Sequence, residues 1–363
     1  MNASYSLDKK LKSNKFGTIN AVFLTYEPNF SNSSENYKEV IKFYKTYIEE
    51  YCNARNYSNK FKLTIVDNIS SLDFREHLRE IADLNNIEVM YIDEWVFNFD
   101  AFNYFLEKNK NPDDIFIWLA SDTKPNHNEW LTHLIEDLIE TNTNIAFPTV
   151  TADGGAWLPQ LQNKPINKKP ILIDFPNYFH LIGFAITGRI LERFDWLLPN
   201  KYKLNGNDKG LSLMAFAAKE KICLSFRSNL DHYNLFPFKH QWLNDDKRKR
   251  RVQEYTHLSI LEAGLNAYGN NLFSLNQYIR YTSHPTNIKL NSDKIKKDQN
   301  IRLKIKLIIL FIKRNLSYLR SKRGREKLLL NLGQSILVNY NKKRFLELNF
   351  EERKKLIFDI YWE

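Results

Sequence analysis

The chain has 363 residues, of which 43% are hydrophobic and 14% aromatic, with only 11 glycines and 11 prolines. This composition excludes collagen-like and globally disordered proteins and provides enough apolar material for one large domain or two. No uncharged apolar run approaches the roughly 18 residues of a membrane span, and the first residues lack the apolar core of a signal peptide. The two cysteines, Cys52 and Cys223, are too far apart for C-x-x-C spacing, so we expect a reducing cytoplasm.

The positive charge is confined to one segment. Residues 289–328 contain 14 basic and three acidic side chains, a local net charge of +11, which equals the net charge of the whole chain. The remaining residues are therefore electrically balanced and need no polyanionic partner. This division indicates that the basic segment and the rest of the chain have different functions.

Apolar runs alternate with amphipathic segments over the first 150 residues. Helices and strands that alternate in this way predict βαβ units and a mainly parallel sheet. Further strands are predicted at 179–187 and 222–226, and after residue 240 the pattern is that of charged helices. The predicted strands of the first part are 19–25, 61–66, 87–92, 115–120 and 145–148, and the helices between them are 37–51, 73–84, 100–108 and 129–140.

Polar residues follow three of the first four predicted strands, as Thr25-Tyr26, Asp67-Asn68 and Ser121-Asp122. Each pair alone is equally well explained as a helix cap or a turn. Ligands of open parallel sheets bind at the carboxyl ends of the strands, so three such pairs at one edge indicate a nucleotide site. Because the chain has no glycine-rich phosphate loop, a diphosphate would need a carboxylate-held divalent cation.

Four blocks between residues 16 and 235 resemble family 2 glycosyltransferases with the GT-A fold. They are INAVFLTYEPN, LTIVDNISS, WLASDTKPNHNEWLTHL, and GFAITGRILERFDWLLP followed by GNDKGLSLMAFAAKEKICLSFRSNLDHY. The resemblance implies an α/β, Rossmann-like catalytic domain at 16–240, in which helices flank a mainly parallel sheet. A polar tail at 1–15 would precede this domain, and a mostly helical region at 241–363 would follow it.

The resemblance also assigns residues to the nucleotide. Asp67 would hydrogen-bond the base and Tyr26 would stack on it, while the asparagines stand where the family has an Asn-rich helix start. The nucleotide-binding residues implied in this way are Thr25, Tyr26, Asp67, Asn98, Asn103 and Ser121.

Metal binding and base catalysis follow from the same resemblance. Asp122 matches the last acid of the family's D-x-D motif and would hold Mg²⁺ or Mn²⁺ together with His232. The first acid of the motif is replaced by Ala120, so a weak or absent metal requirement also fits. Asp208 stands at the position of the catalytic base of an inverting transfer, and its alternative role is to cap a helix.

The implied partners are a nucleotide sugar linked to UDP, TDP or GDP and a glycan or lipid-linked acceptor. The product would be a bacterial surface polysaccharide, either lipopolysaccharide or capsule. Segment 289–328 resembles an interfacial helix, and it predicts peripheral binding to the anionic inner face of the cytoplasmic membrane. A helix packed on the catalytic domain is the alternative. No nucleic-acid-binding signature accompanies the charge, so no nucleic-acid partner is expected.

Two other functions remain open at this point. The truncated acidic motif is compatible with a non-catalytic protein that uses a GT-A-like scaffold to bind lipid or nucleic acid. A nucleotidyltransferase on a related sheet is the third possibility, and the missing glycine-rich loop after the first strand argues against it.

Overall fold

The computed structural model describes residues 3–27, 34–94, 96, 98–152, 169–173, 183–200, 207–232 and 345–362. Its strands are β1 (Ile19–Thr25), β2 (Phe61–Asn68), β3 (Glu88–Ile92), β4 (Ile115–Leu119), β5 (Thr123–Pro125), β6 (Ile145–Ala152), β7 (Ile171–Ile173), β8 (Gly183–Thr187) and β9 (Ile222–His232). Its helices are α1 (Ala3–Ser13), α2 (Ser34–Cys52), α3 (Leu72–Asn85), α4 (Asn98–Lys108), α5 (Trp130–Glu140), α6 (Gly188–Arg193), α7 (Asn207–Ala217) and α8 (Phe350–Tyr361), with a 3₁₀ turn at Asn53–Asn56.

The nine strands form one mixed sheet in the order β3-β2-β1-β4-β8-β6-β9-β5, with β7 paired to β9. Strands β1, β2, β3 and β4 are parallel neighbours, and β6 is parallel to β9. Strand β8 runs antiparallel between β4 and β6, so β6 and β9 point in the same direction as β1. The predicted α/β architecture, with a mainly parallel sheet flanked by helices, is confirmed.

The sheet is central because its middle strands are apolar on both faces. Along β1, Ala21 and Phe23 belong to one buried cluster, whereas Val22 and Leu24 belong to the other. Helices α1, α2, α3 and α5 cover the first face, and α4, α6, α7 and α8 cover the second. Alternate side chains of a strand point to opposite faces, so a continuous apolar run requires a helix layer on each side.

The predicted polar tail at 1–15 is wrong from residue 3 onward, because residues 3–13 form α1. Leu7 and Leu11, one helical turn apart, are fully buried against the sheet. Lys10 donates to Glu136 at 2.7 Å and to Glu140 at 2.9 Å, which fixes α1 to α5. Seven of its eleven residues are polar, so the sequence shows only a weak apolar pattern here.

Other differences from the prediction are local. Strands β5 and β7 have three residues each and are too short to show a period in sequence. Helix α3 is capped by Ser71, whose hydroxyl accepts from the Phe74 amide at 3.3 Å, and Asp73 lies inside its first turn.

Residues 153–168 and segment 289–328 lie outside the described residues. Within the described residues, no helix is long and apolar enough to cross a membrane.

Helix α8 completes the second face of the core by packing on α7. Arg353 is only 4% exposed, and its Nε donates to the carbonyl of Ala217, the last residue of α7, at 2.6 Å. The same guanidinium also donates to Leu348 O. Trp362 Nε1 donates to Leu197 O at 3.1 Å. The end of α7 thus obtains a charged hydrogen-bond donor that its own sequence lacks.

Replacing Arg353 with alanine should therefore destabilise the fold. Arg353→Ala leaves the carbonyls of Ala217 and Leu348 without this donor, and we expect the free energy of unfolding to fall by about 2 kcal/mol. Urea unfolding followed by circular dichroism measures this loss. The control is Lys354→Ala, which removes the contact to the exposed Asp195 at 2.9 Å and a contact of the ammonium with the Phe358 ring and should cost about 1 kcal/mol or less. Equal losses in both variants would contradict the capping role.

Candidate functional site

Predicted site residues lie along one edge of the sheet, at the carboxyl ends of the parallel strands. Thr25 ends β1 and pairs with Asp67 on β2. Strand β9 ends at His232, which pairs with Thr123, the residue directly after Asp122. The structure thus brings the ends of β1, β2, β4 and β9 to the edge where α/β sheets bind ligands.

Asp67 is buried and hydrogen-bonded entirely within the protein. Oδ1 accepts from the hydroxyls of Ser70 at 2.5 Å and Thr25 at 3.4 Å. Oδ2 accepts from Arg75 Nε at 3.0 Å and from the Ser70 amide at 3.3 Å. Burial raises the pKa of Asp67, and the Ser70 and Arg75 donors oppose that effect. Its exposed fraction is 0%, so its hydrogen bond to a nucleobase stays a prediction.

Arg75 extends this network to the next strand. Its Nη1 donates to Asp93 at 2.8 Å, and Nη2 donates to Ile92 O at 2.9 Å. The guanidinium also lies over the Tyr91 ring, 4.9 Å from the ring centroid. Asp67 lies at the end of β2, whereas Ile92 and Asp93 lie at the end of β3. One side chain on α3 therefore fixes the ends of β2 and β3 relative to each other.

A cluster of hydroxyls surrounds the loop that carries Ser121 and Asp122. Tyr44 donates to the carbonyl of Tyr26 at 3.1 Å and is hydrogen-bonded to Ser121. The Tyr51 hydroxyl lies 3.0 Å from Thr123 Oγ1. Burial and the negative charge of Asp122 raise the pKa of Tyr26, so its phenol stays neutral at physiological pH. Asp122 itself is half-buried beside this cluster.

Asp122 offers the kind of ligand that a divalent cation binds. Carboxylates suit both Mn²⁺ and Mg²⁺, and Mg²⁺ accepts a single carboxylate with water and phosphate oxygens. The Asp122 charge also acts on Tyr44 and Tyr51, so a cation would meet a negative local field. The His232 side chain lies outside the described residues. Among the residues that are described, no three His, Cys, Asp or Glu side chains form a metal-binding group.

A buried ion pair shapes the strand that ends in His232. The register between β6 and β9 shifts by three residues after Pro148, so Phe226, Arg227 and Ser228 bulge out of β9. Arg227 Nε donates to the fully buried Asp137 of α5 at 3.0 Å, and Ser225 donates to Asp137 at 2.6 Å. His133 Nδ1 donates to Arg227 O at 3.0 Å. Bulges of this kind redirect strand ends, and here the redirected end pairs with Thr123.

The remaining predicted residues have mixed outcomes. Asn103 of α4 uses its amide within the protein: Nδ2 donates to Leu198 O at 3.1 Å and Oδ1 accepts from Leu198 N at 2.8 Å. Asn98 is the first residue of α4 and Asp208 the second of α7, and both side chains lie outside the described part.

Sequence reasoning missed three residues that organise this edge. Tyr44 was visible only as one member of the apolar stripe of α2, with no sign that its hydroxyl would be used. Arg75 lies eight residues after Asp67, a spacing with no periodic meaning across a turn. Asp137 lies seven residues after Trp130 and three after Leu134, on the apolar side of α5, and an acid at that position was the available signal.

No protein-family model matches the chain, and no curated protein matches it. Among solved structures, the mannosyltransferase PcManGT from Pyrobaculum calidifontis, in complex with GDP-Man and Mn²⁺, is 12% identical with a TM-score of 0.47, covering 93% of each chain. S. aureus TarS 1-349 with UDP-GlcNAc is 12% identical with a TM-score of 0.47, covering 95% of this chain and 89% of that one. GalNAc-T7 with UDP, GalNAc and Mn²⁺ is 16% identical with a TM-score of 0.43, covering 60% and 44%.

The ion pair beneath the β9 bulge gives a stability prediction. Asp137→Asn removes the charge that Arg227 faces in the interior, and we expect a loss of about 2–3 kcal/mol in the free energy of unfolding. The control is Glu140→Gln on the same helix, a half-exposed acid that lies 3.7 Å from Arg227 and 2.9 Å from Lys10, and it should cost less than about 1 kcal/mol. Chemical denaturation of both variants tests this order, and an equal effect would refute it.

Proposed function

We propose that the protein is a nucleotide-sugar-dependent glycosyltransferase of the GT-A type. The observation that carries the proposal is the shared carboxyl edge of the sheet. Thr25 and Asp67 are paired at one end of this edge. At the other end Thr123, the residue after Asp122, is paired with His232. The first pair suits a nucleobase, and the second pair suits a diphosphate. An edge of this kind without a glycine-rich loop favours a sugar nucleotide over a mononucleotide held by backbone amides.

In this proposal the β1 and β2 ends hold the base. Tyr26 offers a half-buried ring with a neutral hydroxyl, and Tyr44 fixes the backbone from which that ring projects. Asp67 keeps the turn after β2 in place and would accept from the base if a base N–H replaced the Ser70 hydroxyl. Ser121 would lie between the ribose and the phosphates.

Asp122 and His232 are proposed to hold Mg²⁺ or Mn²⁺. When bound, the cation would neutralise the diphosphate and so stabilise it as a leaving group. The chain's own part is to hold the loop of Asp122 in place, which the hydrogen bonds of Thr123 with Tyr51 and with the carbonyl of Ala120 favour. Because Ala120 replaces the first acid of the motif, Asp122 would bear most of this role.

Asp208 is the proposed general base. Helix α7 ends at Ala217, and β9 starts at Ile222, so we expect α7 to run back along β9 with its amino end toward the carboxyl edge. A carboxylate there would take the proton of the acceptor hydroxyl while the sugar carbon is attacked opposite the departing diphosphate. Attack from the opposite face inverts the configuration, and the base contributes about 10²–10⁴-fold to the rate.

The acceptor is proposed to be a glycan or lipid-linked saccharide of a bacterial surface polysaccharide. The support is chemical: segment 289–328 combines apolar and basic side chains, as in helices that lie on anionic membranes. An enzyme attached at the inner face of the membrane would meet a lipid-linked acceptor there.

The proposal predicts donor turnover that depends on two acids. We expect wild-type protein to transfer or hydrolyse at least one sugar from a panel of UDP, TDP and GDP sugars with Mn²⁺ present. Asp122→Ala and Asp208→Asn should each lower kcat by about 10²-fold or more. Released nucleotide, measured by a coupled assay, gives these rates.

The control for the two acids is Asp113→Asn, an exposed acid before β4 at the opposite edge of the sheet, which should leave kcat unchanged. Full activity of both site variants would refute the assigned mechanism. Absence of turnover and of thermal stabilisation by any nucleotide would instead favour the binding-protein alternative, which the missing first acid at Ala120 supports.

A further inference from the structure

The segment 67–72, which runs from the last two residues of β2 through the following turn to the first residue of α3, distributes its side chains in an unusual way. Of its polar members, Asp67, Asn68 and Ser70 are buried, with exposed fractions of 0%, 4% and 8%, whereas Ser71 is exposed. Its apolar members face solvent instead, with Ile69 at 44% and Leu72 at 78% exposure. Solvation alone would favour the reverse, because exposing apolar surface to water costs free energy and buried polar groups need hydrogen-bond partners.

Ile69 also has a backbone conformation that disfavours its side chain. Its φ is 55°, in the left-handed region that glycine adopts freely and that β-branched residues rarely occupy. Such a residue persists only where its surroundings determine the conformation. Glycine at this position would fit the backbone without strain.

Neighbouring hydrogen bonds determine that conformation. The Ile69 amide donates to Ile92 O at 3.0 Å. The Asn68 side chain donates to Val96 O at 2.6 Å and accepts from Val96 N at 3.2 Å, and Ser70 is held by Asp67. The turn is thus fixed on both sides of Ile69. The isoleucine side chain itself contributes nothing to these bonds, so its presence needs another explanation.

The position of the turn suggests that explanation. Asp67 pairs with Thr25, so the turn begins beside the end of β1, where Tyr26 follows. We propose that Ile69 is a nucleobase-contacting residue whose apolar side chain packs against a face of the base of the sugar nucleotide. This inference rests on the proposed function. A base has apolar faces, and covering one removes water from both surfaces.

The test separates the side chain from the backbone with three substitutions at one position. Ile69→Gly removes the side chain and the strain, Ile69→Ala removes most of the side chain but keeps the strain, and Ile69→Val keeps a β-branched apolar group. The control is Lys15→Gly, an exposed residue with φ 58° before β1, at the opposite edge of the sheet. Binding of UDP, TDP and GDP is measured by calorimetry, and Tm by thermal unfolding.

We expect Ile69→Gly to raise Tm by about 1–3 °C while weakening binding of the nucleotide by about 5- to 20-fold. Ile69→Ala should weaken binding as much without raising Tm, and Ile69→Val should bind like wild type. Lys15→Gly should leave binding unchanged. Together these results would show that the side chain, not turn rigidity, provides the affinity.

Three outcomes would overturn the inference. Equal nucleotide binding by wild type, Ile69→Gly and Ile69→Ala would show that Ile69 does not contact the base, with the proposed function intact. A lower Tm for Ile69→Gly would show that packing retains the isoleucine. If wild type binds none of the three nucleotides, the proposed function fails and this inference fails with it.

Discussion

The buried carboxylate of Asp67 is the constraint on which one half of the site edge depends. It accepts hydrogen bonds from β1, from the turn after β2 and from α3, so three elements meet at one charge. An isolated buried carboxylate would be very costly, and four donors make this one tolerable. The arrangement fixes the backbone around Tyr26 and Ile69 before any ligand arrives. A binding surface prepared in this way loses little conformational entropy when a ligand binds.

The other half of the edge follows the same principle with a different ion pair. Asp137 and Arg227 anchor the β9 bulge to α5, and beyond the bulge β9 pairs with β5. That pairing puts the last residue of β9 beside the loop of Asp122. In both halves a buried carboxylate, Asp67 or Asp137, positions neighbouring residues that are themselves only half-buried or exposed. Rigid support of this kind is what a site on strand ends requires.

Strands and helices with a strong apolar pattern could be predicted from the sequence. Elements and side-chain partners that depend on tertiary contacts could not. Continuous apolar runs such as 19–25 and 115–120 identified central strands, because strands buried on both faces have no polar alternation. The three-residue β5 and the α1 helix with its two buried leucines left no such pattern. At the site, strand-end position predicted the edge correctly for Thr25 and Asp67. The partners that bury Asp67, above all Arg75, could not be predicted, since they depend on how α3 packs.

Helix α8 has a consequence for the order in which the protein can fold. The hydrogen bond from Trp362 to Leu197 joins residues 165 positions apart, and Arg353 reaches back to Ala217 over a similar stretch. During synthesis, α7 and the turn near Leu197 cannot form their contacts with α8 until residue 362 has left the ribosome. Until then the part of this face that α8 covers lacks its final contacts. Contacts of such long separation slow folding, so the nascent domain stays exposed to misassembly for longer than a locally connected fold would.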